Sequence, residues 1–98
     1  MVNLNSKAVQ DQIRDYLNGE FLLESFTRLG GAPDLDHVVL HLELVRETDD
    51  ALYVDCAFDF DECVPMSPSG VVHHHHCYGL VHMRLHPASG EVAEAWLR

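Results

Sequence analysis

Basic residues are scarce in this chain of 98 residues: 6 lysines and arginines stand against 16 aspartates and glutamates, giving a formal net charge of −10. A surface of this sign repels nucleic-acid phosphates and anionic lipid headgroups, so direct binding of a nucleic acid or a membrane is not expected. Basic proteins and metal ions are the more natural partners. Hydrophobic residues make up 47% of the chain, which is too many for a disordered chain and suits a single domain over residues 1–98.

Long apolar runs and paired cysteines are also missing. No stretch approaches the roughly 20 apolar residues of a membrane-spanning helix. Residues 1–5 have neither the basic start nor the apolar run of a signal peptide. The 3 cysteines are odd in number and form no Cys-x-x-Cys pair, so a cysteine-based zinc site is not expected. Together these absences predict a reduced, cytoplasmic setting.

Apolar residues at helical spacing occur in the N-terminal third. Four of them recur on one helix face: Val9, Ile13, Tyr16 and Leu17. This pattern predicts a helix that Asn5 or Ser6 caps and that ends at Asn18-Gly19. The segment Glu20 to Leu29 also has helical spacing; a strand is possible there, and a helix is the favoured interpretation.

From Pro33 onward the apolar period changes to two, which is typical of strands with one buried face. Four strands are predicted, at about 38–44, 52–61, 72–86 and 91–97, separated by a turn at 48–50, a loop at 62–70 and a turn at 87–90. The last turn sets a register in which Leu85 lies opposite Ala93 and Arg84 opposite Glu94.

The predicted fold class is α+β, with one or two N-terminal helices packed on one face of a four-stranded antiparallel meander. One face of the sheet is expected to be dry and the other wet. This order of elements is broadly similar to cystatin-like folds, as architecture only, and such a similarity carries no function.

Four consecutive histidines, residues 73–76, precede Cys77 and form the most prominent chemical signal. Strand alternation places His74 and His76 on one face, about 6.6 Å apart along the chain, and the other two histidines on the opposite face. The tract is therefore interpreted as one pair of convergent imidazoles rather than as four ligands.

Carboxylates are expected beside this pair. When the second and third strands are paired so that their apolar faces agree, Asp61 lies opposite His74 and Asp59 lies opposite His76. One register of the first hairpin also brings His37 next to Asp59. The predicted metal site comprises His74, His76, His37, Asp59 and Asp61, and such a set suits Zn, Ni or Cu. The alternative is a patch of exposed Asp–His ion pairs, which sheet pairing favours in any case.

The wet face also carries apolar side chains on two adjacent strands. They are Tyr78, Leu80, Val92 and Trp96. A contiguous patch of this kind predicts a dimer or partner surface with Trp96 at its centre. The alternative is that the chain termini cover the patch, or that the local register is reversed.

No catalytic residue is assigned. Cys77 follows His76, but adjacent strand residues point to opposite faces, so this imidazole cannot activate the thiol. The leading hypothesis is a small acidic protein-interaction module that self-associates as a homodimer and has no catalytic activity. The alternative is a metal-binding or metal-sensing protein, and the weaker alternative is an acidic inhibitor of a basic or nucleic-acid-binding partner.

Overall fold

The computed structural model describes residues 3–19, 23–66 and 70–97. These ranges contain one α-helix, two short 3₁₀ helices and an antiparallel sheet. The elements are α1 (Lys7–Gly19), the 3₁₀ helices Glu24–Phe26 and Leu35–His37, and the strands β1 (Ala32–Pro33), β2 (Val39–Glu47), β3 (Leu52–Met66), β4 (Val71–Leu85) and β5 (Val92–Trp96). Within the described residues, no helix is long and apolar enough to cross a membrane.

The predicted N-terminal helix is confirmed as α1. The Ser6 hydroxyl accepts a hydrogen bond from the Val9 N–H at 3.3 Å, so Ser6 is the N-cap. Val9, Ile13 and Leu17 are buried against the sheet. The second predicted helix is not found over residues 23–29, which contain only a three-residue 3₁₀ helix, while residues 20–22 lie outside the described ranges.

The α+β class and the antiparallel sheet are confirmed, and the sheet curls as a half-barrel. β4 pairs with β3 along its whole length. β1 and β2 both pair with β3 and therefore share its other edge, and β5 pairs with the end of β4. The strand predicted at about 38–44 corresponds to β2, and β1 is an additional short strand that the sequence did not predict, separated from β2 by the 3₁₀ helix Leu35–His37.

The loop predicted over residues 62–70 is wrong for its first half, because β3 continues to Met66. The ladder between β3 and β4 is consequently displaced by two residues from the expected one, and Asp61 lies opposite His76 while Cys63 lies opposite His74. A displacement by an even number keeps every side chain on its expected face but changes its neighbours.

The register of the last hairpin is confirmed over three pairs. His82 lies opposite Trp96 and Arg84 opposite Glu94, as predicted. The next pair is different, because a bulge places Leu85 opposite Val92 instead of Ala93. The extra residue in β5 reverses the side-chain direction of Val92 relative to the regular alternation.

The core lies on the concave, inner face of the sheet, beneath α1. Alternate residues of β3 from Leu52 to Glu62 are buried. The Phe26 ring lies over Gly79 and meets the Phe58 ring edge-on at a centroid distance of 4.8 Å. A Cβ atom at residue 79 would lie 2.5 Å from the Phe26 ring, so this contact requires glycine.

Glu62 is a fully buried carboxylate at the end of the core. Its Oε1 accepts hydrogen bonds from the backbone N–H groups of Arg28 at 2.9 Å and Leu29 at 3.1 Å, and its Oε2 accepts from the Gly31 N–H at 2.6 Å. The Cys77 thiol lies 3.7 Å away as a further, weak donor. Glu62 thus fixes residues 28–31 in a tight turn, and the backbone donors it binds are not available to a helix across this segment.

Burial raises the pKa of a carboxyl group, but the three backbone hydrogen bonds outweigh it and hold the pKa of Glu62 below its ordinary value of 4.5. A lowered folded-state pKa means that the ionised side chain stabilises the fold above the unfolded-state pKa. This contribution is lost as the pH falls through the folded-state pKa.

We expect Glu62→Gln to lower the melting temperature at pH 7, because the amide replaces one acceptor oxygen with a donor that faces backbone N–H groups. The difference from the wild type should shrink as the pH falls below about 4.5, which thermal unfolding at several pH values measures. Glu43→Gln, at an exposed position of β2, is the matched control. Equal melting temperatures for Glu62→Gln and the wild type at pH 7 would contradict this role.

Candidate functional site

The convex, outer face of the sheet is the side opposite α1, and it carries the chemistry that the sequence predicted. On β3, Asp55, Asp59 and Asp61 point to this face. On β4, the side chains with even numbers do so, because they alternate with the buried Cys77, Val81 and Met83. Imidazoles and carboxylates therefore come together across the β3–β4 ladder.

His76 is the centre of an ion-pair cluster on this face. Its Nδ1 lies 3.3 Å from Asp61 Oδ1, and its Nε2 lies 3.2 Å from Asp59 Oδ1. The other oxygen of Asp59 lies 3.6 Å from His41 Nε2, which comes from β2. One histidine thus lies between two aspartates, and one aspartate lies between two histidines.

This arrangement changes the protonation of His76. Its contacts with Asp61 and then Asp59 raise the pKa of His76 above 6.5, since both carboxylates favour the charged ring. A raised folded-state pKa means that the pairing stabilises the fold fully below the unfolded-state value of about 6.5. The contribution is lost as the pH rises through the folded-state pKa.

The predicted metal ligands are only partly brought together. His76 has Asp59 and Asp61 as neighbours, but His74 Nδ1 lies 3.7 Å from Cys63 Sγ, and no contact joins His74 to either aspartate in the described residues. The cause is the displaced β3–β4 register, in which Cys63 occupies the place expected for Asp61.

His37 does not join the cluster as expected. The 3₁₀ helix that precedes β2 turns it toward Asp34, and His37 Nδ1 lies 2.9 Å from Asp34 Oδ2. This contact raises the pKa of His37. The first hairpin places Val39, not His37, opposite Asp59, and His41 takes the position beside that carboxylate.

Across the described ranges, no group of three or more His, Cys, Asp or Glu side chains is arranged to hold a metal ion. The metal site therefore remains a prediction from sequence. The contacts that the structure does contain match the alternative interpretation, a set of cross-strand Asp–His pairs.

Three of the four predicted interface residues are exposed on the outer face. Tyr78 is 65% exposed, Leu80 47% and Trp96 39%. Val92 was assigned to the same surface, and this assignment is wrong: Val92 is partly buried and packs against the core. The bulge in β5 is the reason, because it places Val92 opposite the buried Leu85.

A groove of about 400 Å³ lies beside Trp96 on this face. His82 forms one wall: its ring stacks on Trp96 at a centroid distance of 6.2 Å, and its Nδ1 lies 2.6 Å from Asp55 Oδ1. The other wall has the Arg46 guanidinium 4.2 Å from the centre of the Tyr53 ring. Sequence reasoning missed Arg46 and Tyr53, although a correct register of the first hairpin would have placed them opposite each other.

Two of the three thiols are buried. Burial raises the pKa of Cys56 to about 12 and also raises the pKa of Cys77. Neither group supplies a thiolate at neutral pH. Cys63 is partly exposed beside His74, and all three cysteines are free.

Comparisons with protein-family models, with curated proteins and with solved structures return no match to this chain. The geometry of the outer face is therefore the only basis for a functional assignment.

We expect Asp61→Asn and Asp59→Asn each to lower the folded-state pKa of His76, because each removes one carboxylate that favours the protonated ring. The double substitution should lower it further. NMR titration of the imidazole resonances measures this, with Asp49→Asn in the β2–β3 turn as the control. If wild-type His76 titrates at or below about 6.5, the ion-pair cluster does not form in solution.

Proposed function

We propose that this protein is a small acidic protein-interaction module that self-associates through the outer face of its sheet and performs no catalysis. The observation that carries the proposal is the exposure of Tyr78, Leu80 and Trp96 on a face that already contains paired charges. Apolar side chains inside a polar rim are typical of protein interfaces, and aromatic residues are enriched at their centres.

The dimensions of the molecule suit an interface of ordinary size. The longest and middle extents of the chain are 56 and 26 Å. One side of a molecule with these extents is large enough for the roughly 800 Å² that each partner contributes to a standard interface.

Charge sets the conditions for association. Two copies with a formal net charge of −10 each repel one another over long range. Salt screens this repulsion between exposed charges, so the proposal includes a dimer that becomes more stable as salt is added. On the outer face His76 lies between Asp59 and Asp61, so its protonated ring offsets part of their negative charge.

Catalysis has less support than binding in this structure. Cys56 and Cys77 are buried, and burial raises the pKa of both thiols, so neither supplies a thiolate nucleophile at neutral pH. We place the protein in the cytoplasm on the strength of its three free thiols. The similarity to cystatin-like folds concerns the order of helix and strands and contributes nothing to this assignment.

We expect Trp96→Glu to weaken self-association by about 2 kcal/mol or more, because it replaces a large apolar ring of the patch with a charge. The fold should persist, since Trp96 is 39% exposed. Sedimentation equilibrium across a series of salt concentrations measures the dimer, and circular dichroism measures the fold.

The matched control is Leu35→Glu, which places the same charge at a side chain that is 48% exposed but lies in a 3₁₀ helix beyond the outer-face patch. A wild-type chain that remains monomeric at high protein and salt concentration would refute self-association. An unfolded Trp96→Glu variant would show that the tryptophan belongs to the core instead.

A further inference from the structure

Most of β4 has one edge that no other strand covers. β3 pairs with the whole of β4, whereas β5 pairs with it only from His82 to Leu85. Within residues 3–19, 23–66 and 70–97, no strand pairs with the outer edge of β4 between Val72 and Leu80. At about 3.3 Å per residue, this segment spans roughly 30 Å. We call it the open edge of β4.

Two backbone hydrogen bonds show which residues face the open edge. The Asp34 N–H donates to the Asp61 carbonyl at 2.7 Å, so Asp61 turns its backbone groups away from β4. The Asp61–His76 pair of the β3–β4 ladder therefore exchanges no backbone hydrogen bonds. The His86 N–H donates to the Glu91 carbonyl at 2.9 Å, on the β5 side. Because backbone direction alternates along a strand, the even-numbered residues from 72 to 80 direct their N–H and C=O groups to the open edge.

Two prolines within the sheet agree with this assignment. Pro65 lies opposite Val72, and Pro33 lies opposite Glu62. By the same alternation, both pairs exchange no hydrogen bonds. Proline has no N–H to donate, and such positions are where a ladder tolerates it.

The open edge lacks the features that normally block an exposed strand. Between Val72 and Leu80 there is no Lys, Arg, Asp, Glu or Pro, in a chain of which 22% is charged. Its pairing with β3 has no bulge. The free edge of β2, in contrast, carries Glu43, Arg46 and Glu47 and is interrupted by a bulge. Proteins use charges and bulges of this kind to prevent edge-to-edge pairing.

We propose that the open edge of β4 pairs antiparallel with the same edge of a second copy, which joins the two sheets across a twofold axis. This inference rests on the self-association proposed above but places the contact at the edge of the sheet, where the outward side chains from Val72 to Leu80 also meet those of the second copy. An isologous contact of this type requires a self-complementary strand. Backbone groups of the even-numbered residues then form a continuous ladder between the copies.

One register uses the whole open edge. It places His76 opposite His76 of the second copy, His74 opposite Tyr78, and Val72 opposite Leu80. The two residues of the last pair are each 47% exposed in the single chain, so the register buries apolar side chains against one another. A shift by two residues would place Val72 opposite His82, whose neighbour on that edge is already Trp96 of β5.

The occupant is a second copy because the two ends of the open edge match each other. Apolar Val72 at one end meets apolar Leu80 at the other, and the imidazole of His74 meets the aromatic ring of Tyr78. The segment contains no Lys, Arg, Asp or Glu, and a protonated His76 keeps Asp59 and Asp61 of its own chain as counter-charges in the ladder. A partner of strong charge would find no complementary side chain in it.

The decisive experiment compares His74→Pro with His74→Thr in the full-length chain, with EDTA present to exclude bridging metal ions. Both variants remove the imidazole, but only proline removes the N–H that faces the open edge, twice per dimer by symmetry. The ladder with β3 does not use this N–H, so the monomer should fold. We expect His74→Pro to raise the dimer dissociation constant about a hundredfold and His74→Thr to change it less than about tenfold.

A second measurement on the wild type needs no variant. The amide protons of His76 and Tyr78 should exchange with solvent more slowly as protein concentration rises, since the second copy becomes their acceptor. Concentration-independent exchange at both amides, in a protein that dimerises, would overturn the edge pairing.

The outcomes separate this inference from the proposed function. A dimer that Trp96→Glu dissociates but His74→Pro leaves intact supports association through the outer face and overturns pairing through the edge. A dimer that His74→Pro and His74→Thr weaken equally depends on the imidazole and also overturns it. A wild-type monomer under all conditions removes the proposed function and the edge pairing together.

Discussion

The ladder between β3 and β4 is the constraint on which the rest of the structure depends. Both strands contain 15 residues and pair without a bulge from end to end. The face to which a side chain points and the edge to which the backbone N–H and C=O groups point both alternate with a period of two. One uninterrupted register therefore determines both directions for all thirty residues of the two strands. It places Cys77 and Phe60 in the core, brings His76 to Asp61, and leaves the far edge of β4 to β5, which pairs with it only from His82 to Leu85.

Glu62 shows how the core end of this ladder is completed. A carboxylate on the buried side of a strand is unfavourable by itself, because the charged group loses its hydration by water. Here the backbone of Arg28 to Gly31 wraps around it and supplies the hydrogen bonds. Close approach is possible because residue 31 is glycine: a Cβ there would lie 2.4 Å from the Cys63 carbonyl oxygen. Arg28, Leu29 and Gly31 therefore donate their backbone N–H groups to Glu62. Residues 28–31 form a turn at the place where apolar spacing predicted the end of a second helix.

The helix and strands with strong apolar periodicity were predictable from sequence. The registers in which the strands pair were harder to predict. Val9, Ile13 and Leu17 identify α1, and alternation over β3 and β4 identifies their buried faces. The last hairpin was predicted to the residue over three pairs, because its short turn with Gly90 at positive φ limits the register. Between β3 and β4 the sequence predicted a loop over residues 62–70, whereas β3 continues to Met66, and the resulting two-residue displacement changed the neighbours of His74 and His76 without altering their face.

The two-residue alternation along a strand explains why the same residues of β4 lie on the outer face and at the open edge. Val72, His74, His76, Tyr78 and Leu80 direct their side chains outward, and alternation also sends their backbone groups to the uncovered edge. A strand that pairs there therefore contacts these side chains as well. Lysine or glutamate at these positions would block the edge, whereas the His76 ring is paired with two aspartates of its own chain and its centre lies 6.5 Å from the centre of the Tyr78 ring. The histidine tract is thus compatible with a pairing surface in a chain that is otherwise strongly acidic.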